Sequence, residues 1–236
     1  MKIAVINFSG NVGKSTISRH LLLPRIAGAE LISVESLNAD ENQGHALRGR
    51  QFGELQEYMQ TVDNLVVDIG ASNVEDLMAL MRRYQGSHED FDFFVVPTVP
   101  ELKQQEDTMA TLGELSRSGV PPSRLKLVFN RVDEGIEVAQ AFEHLLAFLE
   151  RCPVANASTH CRLGTNEVYS RIKGNGVDLA ALASDDTDYK ALITQAKTTD
   201  AKLALAQKLA TRRLARGVVP ELDACFTALE LEPVST

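Results

Sequence analysis

Five short apolar runs constrain this chain more than any other feature: Lys2–Ile6, Glu30–Val34, Asn64–Ile69, Phe91–Val96 and Leu125–Asn130. They are apolar almost throughout rather than alternating, so each reads as a strand covered on both faces. Segments of helical period separate them. Ser72-Asn73-Val74-Glu75 has the spacing of a capping box, and Leu77, Leu80, Met81 and Tyr84 follow on one helix face. Glu101–Arg117 and Ile136–Glu150 are the next helices, the second gathering Phe142, Leu145, Leu146 and Leu149. This alternation predicts an α/β fold, a parallel sheet covered by helices on both faces. Ligands of such sheets sit beyond the carboxyl ends of the strands.

Composition narrows the classes. The chain has 236 residues, of which 44% are hydrophobic and 24% charged, as in a soluble globular protein. A net charge of −8 excludes a uniformly basic nucleic-acid binder. The first residues do not read as a signal peptide, and no apolar stretch approaches the ~20 residues that span a membrane. Cys152, Cys161 and Cys225 form an odd set without C-x-x-C spacing, which argues against a disulfide framework or zinc site and for a reducing cytoplasm. His20, His45, His88, His144 and His160 show no metal-binding spacing, and no G-x-S-x-G elbow is present.

The chemistry concentrates in Phe8-Ser9-Gly10-Asn11-Val12-Gly13-Lys14-Ser15-Thr16, which follows the first strand and opens a helix from Ser15 to about Leu23. Small residues let the backbone N–H groups from Gly10 through Thr16 converge on phosphate oxygens, and the helix N-terminus adds positive potential. Lys14 is the candidate bridge between the β- and γ-phosphates, and the Ser15 hydroxyl the candidate Mg²⁺ ligand. The commonest spacing, G-x-x-x-x-G-K-[ST], calls for glycine where Phe8 stands. The segment instead resembles the variant loop K-G-G-x-G-K-[ST] of the ParA/MinD family of deviant Walker-type ATPases.

The resemblance covers about residues 1–185. Asn64-Leu65-Val66-Val67-Asp68 is similar to that family's second acidic motif, which implies that Asp68 holds Mg²⁺ through water. Phe91–Glu101 resembles its strand leading to a Pro-x-x-Pro-Glu turn and a long helix. Leu127-Val128-Phe129-Asn130-Arg131 resembles its strand ending in Asn-Arg, which implies Asn130 as the base contact with Arg131 beside it. Cys152–Asp178, including Pro153-Val154-Ala155, resembles the last short strand and the loop closing over the base; its Arg162, Arg171 and Lys173 read by default as a solvated loop, with facing DNA or a partner as the alternative. Asn130-Arg131-Val132-Asp133 also resembles the Asn-Lys-x-Asp motif that reads guanine, which makes GTP the alternative; the resemblance to the ParA/MinD family, whose members mostly bind ATP, implies ATP as the expected nucleotide. Within the family the pattern is closest to the StbB-like plasmid stability and conjugation proteins, in length and in the Ala/Arg/Leu-rich tail ending Pro220-Glu221-Leu222-Asp223-Ala224.

Three departures bear on turnover. Ser9 stands where the family has its signature lysine, which reaches a dimer partner's phosphates. Asn11, tolerant of positive φ, replaces a glycine. After the second strand the family has Asp-x-Asp; here Val34-Glu35-Ser36-Leu37-Asn38-Ala39-Asp40-Glu41 puts Glu35 and Leu37 at those places, and two readings stay open: Asp40 or Glu41 orients the attacking water from a rearranged loop, or the segment is a solvated acidic loop. In the third, Asp68-Ile69-Gly70 lacks the family's proline, and Gly70 offers a backbone N–H instead. The resemblance thus implies a nucleotide-dependent homodimeric switch with slow or partner-stimulated ATP hydrolysis. Its implied partners are a DNA-binding adaptor and, through it, plasmid DNA, and its implied place the cytoplasm, with membrane or nucleoid as peripheral sites. A P-loop small-molecule kinase or other ATP-dependent metabolic enzyme is the rival reading, and a scaffold that never hydrolyses is another.

Strand signals end near residue 185, giving a nucleotide-binding domain over 1–185 and a helical extension over 186–236. Asp185-Asp186-Thr187-Asp188 reads as a turn or cap. Tyr189 to Arg216 reads as helix, broken by Gly217 and Pro220 before a final helix at Glu221–Leu229. Residues 197–216 carry Lys197, Lys202, Lys208, Arg212, Arg213 and Arg216 against the single acid Asp200. Leu203, Ala206, Ala210 and Leu214 recur at helical spacing on this segment, with Leu205 and Leu209 beside them. Three readings stay open for it: packing on its own domain or dimer mate, a surface for DNA or a DNA-binding partner, and attachment to a membrane surface.

Overall fold

The computed structural model describes residues 1–34, 49–173 and 176–232. The apolar runs become β1 (Lys2–Val5), β2 (Glu30–Ser33), β3 (Leu65–Asp68), β4 (Phe93–Thr98) and β5 (Leu125–Val132), joined by β6 (Arg162–Gly164). They form one sheet in the order β2-β3-β1-β4-β5-β6, with every pairing parallel. Every residue of β3 and β4 is buried, which is why those runs do not alternate. From β1 the chain passes out to β2, returns through β3 and then crosses to β4 on the other side. The order therefore reverses beside β1, at whose carboxyl end the glycine loop begins.

The helices of this part are α1 (opening at Lys14–Thr16), α2 (Gly49–Met59), α3 (Val74–Arg83), α4 (Leu102–Arg117), α5 (Val138–Ala141) and α6 (Glu143–Arg151). Phe52 and Met59 of α2, Leu77 and Met81 of α3, and Leu112 and Leu115 of α4 share one buried core with Phe94, Val96 and Phe129 of the sheet. Phe142 and Leu145 join it, with Phe142 tilted against Phe129 at a ring separation of 4.8 Å. α1 is unusual. After one α turn it widens into a π-helix at Ile17–Leu22 and closes in a 3₁₀ turn at Leu23–Arg25.

Four local expectations are corrected. The capping box at Ser72 does not form: a 3₁₀ turn, Ala71–Asn73, leads into α3, and its N-cap Asn73 makes no side-chain cap bond. The helix expected at Ile136–Glu150 starts at Val138 and breaks at Phe142, whose φ of −121° and ψ of 29° lie outside the helical region. The last strand is Arg162–Gly164 rather than Pro153–Ala155. Pro153 lacks an N–H, and that stretch contributes only the isolated bridge of Asn156 with Lys126. Finally, α10 (Thr199–Ala228) runs unbroken through Gly217 and Pro220. Pro220 is exposed, whereas Ala215, Val218, Leu222, Cys225 and Leu229 are buried at helical spacing, so packing along one stripe outweighs one missing hydrogen bond.

The chain divides into two compact units, Met1–Gly164 with the segment from Cys225, and Thr165–Ala224. The second holds α7 (Val168–Ile172), α8 (Leu179–Ser184), α9 (Tyr189–Gln195) and most of α10. Asp178 and Asp188 cap α8 and α9, accepting from the amides of Ala180 and Ala191. Two of the six basic residues of 197–216 are used inside this unit. Arg212 donates to the carbonyls of Asp185 and Thr187 at 2.9 and 2.6 Å, and stacks on Tyr189. Arg216 donates to the carbonyl of Ala183 at 2.8 Å and pairs with Asp186. Guanidinium groups at the end of α8 satisfy its last carbonyls. The apolar positions Leu203 and Ala206 are exposed, Leu203 by 56%.

This turn carries a pH dependence. The Asp185 carboxylate accepts from the Thr187 hydroxyl, the Thr187 amide and the Tyr189 hydroxyl, and these bonds, the Thr187 hydroxyl first, lower its pKa from 3.8 to about 2. A folded pKa below the unfolded one stabilises above the unfolded value, and the contribution is lost as pH falls through the folded value. The turn is therefore expected to loosen between about pH 4 and pH 2. An NMR titration of Asp185 with a midpoint near 4 would contradict this.

Candidate functional site

The glycine loop is built around the Lys14 ammonium. Lys14 is only 8% exposed, and its Nζ donates to the carbonyls of Ser9 at 2.6 Å and Asn7 at 3.1 Å. Two backbone dipoles thus hold a buried cation at the N-terminus of α1, where the next amides lie unused by the helix ladder. Gly13 adopts φ 94°, and Asn11 adopts φ 59°, the left-handed region in which asparagine is among the least strained residues. The ladder of α1 starts at once, with the Ile17 amide donating to the Gly13 carbonyl at 2.9 Å. A Cβ on Gly10 would meet nothing within 4 Å, so the loop faces open space there. Ser15 is exposed beside it, and Thr16 half-buried.

Ser9, at the place of the family's lysine, is 5% exposed, its amide donating to Asn7 Oδ1 at 2.7 Å. Asp68 is 4% exposed at the carboxyl end of β3, in register with Val5 of β1. Gly70 is buried two residues on. Asn130, 7% exposed, clasps the loop: its Nδ2 donates to the Val12 carbonyl at 2.9 Å, and its Oδ1 accepts from the Arg131 amide at 3.0 Å. Arg131 is exposed and held at φ 56°. The structure thus joins Lys14 to Ser9 and Asn7, and Asn130 to Val12 beside Gly13. Glu35, Leu37, Asp40 and Glu41 lie outside the described residues. Cys161 has its thiol pushed up to about 11 by burial, which leaves it a poor nucleophile.

The set fits a nucleotide with its magnesium by chemistry: an ammonium and the amides of a helix N-terminus for phosphate, a hydroxyl at Ser15 and a carboxylate at Asp68 for a hard cation.

Sequence reasoning missed a second layer. Asn7 is fully buried, and its Nδ2 donates to the Pro97 carbonyl and to Thr108 Oγ1, both at 2.8 Å. Thr108 Oγ1 lies 3.0 Å from Thr98 Oγ1, and Thr111 Oγ1 accepts from the Phe8 amide at 3.0 Å. Gln105 donates to the carbonyls of Pro100 and Ala141. The available signal was periodicity. Leu112 and Leu115 are the buried apolar residues of α4, and continuing their spacing back along the helix reaches Thr108 and Gln105.

No family model matches the sequence, and no curated protein matches it. Solved structures do. Apo McdA of Cyanothece aligns at a TM-score of 0.52 with 14% identity, over 92% of this chain and 99% of that one. The cell-division protein MinD of Aquifex aeolicus aligns at 0.51 with 14% identity, over 90% and 95%. A chain of the MinC:MinD complex of the same organism aligns at 0.51 with 13% identity, over 90% and 94%. This chain shares their fold. It is the parallel, helix-flanked sheet expected from the sequence, followed by a C-terminal helix. At these identities the likeness speaks for architecture, and the chemistry rests on the loop itself. Among the described residues no helix is long and apolar enough to cross a membrane.

Proposed function

We propose that the chain is a nucleotide-dependent molecular switch of the ParA/MinD kind, which binds ATP with Mg²⁺ and hydrolyses it slowly. The observation that carries the reading is the Lys14 ammonium held by the Asn7 and Ser9 carbonyls, inside a loop that opens α1. In this reading the amides from Gly10 to Thr16 and Lys14 bind the phosphates, Ser15 and Asp68 hold the magnesium, and Asn130 with Arg131 borders the base. The magnesium supplies charge neutralisation at the phosphates. Asp40 is the proposed orienter of the attacking water. A buried Ser9 offers no cation to a second protomer, which supports slow turnover.

Two copies facing each other across bound ATP would expose different surfaces from the empty state. The task inferred from the resemblance to StbB-like proteins is plasmid stability or positioning, linked to conjugative transfer, with a DNA-binding adaptor supplying sequence recognition. The complex of MinD with MinC is an instance of a partner bound on this fold. Calorimetric titration of the purified chain with ATP and GTP, each with Mg²⁺, tests the core of the proposal. ATP is expected to bind more tightly, with unaided turnover below about one per second. Failure of both nucleotides to bind would overturn it, and several turnovers per second without a partner would overturn the slow-switch reading.

A further inference from the structure

The Asn7 side chain spends all of its hydrogen-bonding groups on the phosphate loop and its supports. Oδ1 accepts from the Ser9 amide at 2.7 Å, which fixes the Asn7–Ser9 turn and aims both carbonyls at Lys14 Nζ. Its two Nδ2 hydrogens go to the Pro97 carbonyl, at the end of β4, and to Thr108 Oγ1 of α4. Thr108 Oγ1 is 2.6 Å from the Gln104 carbonyl; donating its single hydrogen there leaves a lone pair for Asn7. Asn7, Thr98 and Thr108 have no exposed surface, so a lost bond is not replaced by bulk water. Neither Asn7 nor Thr108 is at the surface of the loop that faces open space, and neither needs to touch a ligand to govern it.

We propose that Asn7 and Thr108 are positioning residues for the phosphate loop, setting where the Lys14 ammonium stands before nucleotide arrives; this rests on the nucleotide-binding reading above. Removing the Thr108 hydroxyl leaves an Asn7 N–H without an acceptor in a dry site, which drives the amide to rotate. The Ser9 amide then loses its partner, and the two carbonyls drift from Lys14. Because the disturbance acts through an ammonium that meets phosphate, its effect on affinity grows with the number of phosphates. A merely structural role would weaken all nucleotides alike, or lower stability alone.

The test is calorimetric binding of ATP, ADP, AMP and adenosine, with Mg²⁺, to the full parent chain, Thr108→Val and Thr108→Ser. Thr108→Val is expected to lose about tenfold in ATP affinity, progressively less for ADP and AMP, and nothing for adenosine, with Thr108→Ser restoring the parent values. Equal loss for all four ligands, no loss for ATP, or failure of serine to rescue would overturn the proposal. If Thr108→Val does not fold, Thr108→Ala carries the same test by removing the same hydroxyl, with the same graded loss expected and the same outcomes against it. A parent that binds none of the four removes the nucleotide reading itself, whereas a parent that binds ATP beside an unaltered Thr108→Val removes only this inference.

Discussion

A Lys14→Ala variant is expected to bind ATP with Mg²⁺ roughly a hundredfold more weakly than the parent. Lys14 is 8% exposed and its ammonium is already oriented by two carbonyls at 2.6 and 3.1 Å, so little ordering remains for a ligand to impose. Charge-assisted hydrogen bonds of this sort contribute about 1.5–3 kcal/mol each. With two of its three hydrogens on those carbonyls, the ammonium keeps at most one for a phosphate oxygen; losing that bond, with the positive charge behind it, amounts to about 3 kcal/mol, and each 1.4 kcal/mol is a factor of ten. The fold should survive, because alanine removes a charge whose burial is itself unfavourable, offsetting the two lost carbonyl contacts. Arginine is not a rescue: its planar fork is larger than the ammonium and does not match a site closed by the Ser9 and Asn7 carbonyls. The measurement is a paired titration with ATP and adenosine alongside a thermal melt. Unchanged ATP affinity in a folded variant would end the assignment of Lys14 as the phosphate clamp.

The parts of this molecule that were legible in the sequence are those in which a residue's surroundings are set by near neighbours. Strands buried on both faces must be apolar throughout, so five of the six could be read directly, each within a few residues of its observed end. The glycine loop was legible for the same reason: the turn from β1 to α1 is made by consecutive residues. The sixth strand was not, because Arg162–Gly164 carries an exposed arginine and is held as strand only by its pairing with β5. Nor was the continuity of α10, where local chemistry at Gly217 and Pro220 argues for a break and the buried stripe from Ala215 to Leu229 overrules it. Asn7 shows the limit most clearly. Its partners lie 90 and 101 residues away, and a lone asparagine after an apolar run reads as an ordinary strand end. Likewise, counting charges on 197–216 treats six basic residues as equivalent, whereas Arg212 and Arg216 are engaged with the turn after α8. Only the remaining lysines and Arg213 are left as candidates for an outside partner.

Gly13→Ala is expected to be the most damaging single methyl that can be added to the loop. Two separate effects act at this position. The backbone sits at φ 94°, where an L side chain is strained by about 1–2 kcal/mol. The new Cβ would also lie 2.3 Å from Asn130 Nδ2, well inside any tolerable contact. Asn130 is 7% exposed and cannot simply swing into water, so it must surrender its bond to the Val12 carbonyl, at a cost of about 1–3 kcal/mol. Together these predict a loss of about 2–5 kcal/mol and a fall in melting temperature on the order of 10 °C. Asn130→Ala alone should lose only the hydrogen bond. In the double variant Gly13→Ala/Asn130→Ala the collision is gone while the φ strain stays, so the two losses should sum to more than the double variant shows. Chemical denaturation of the four proteins measures that coupling directly. Simple additivity would mean that the amide of β5 does not press on the glycine. The clasp between the loop and the base side of the site would then have to be abandoned, even if nucleotide still binds.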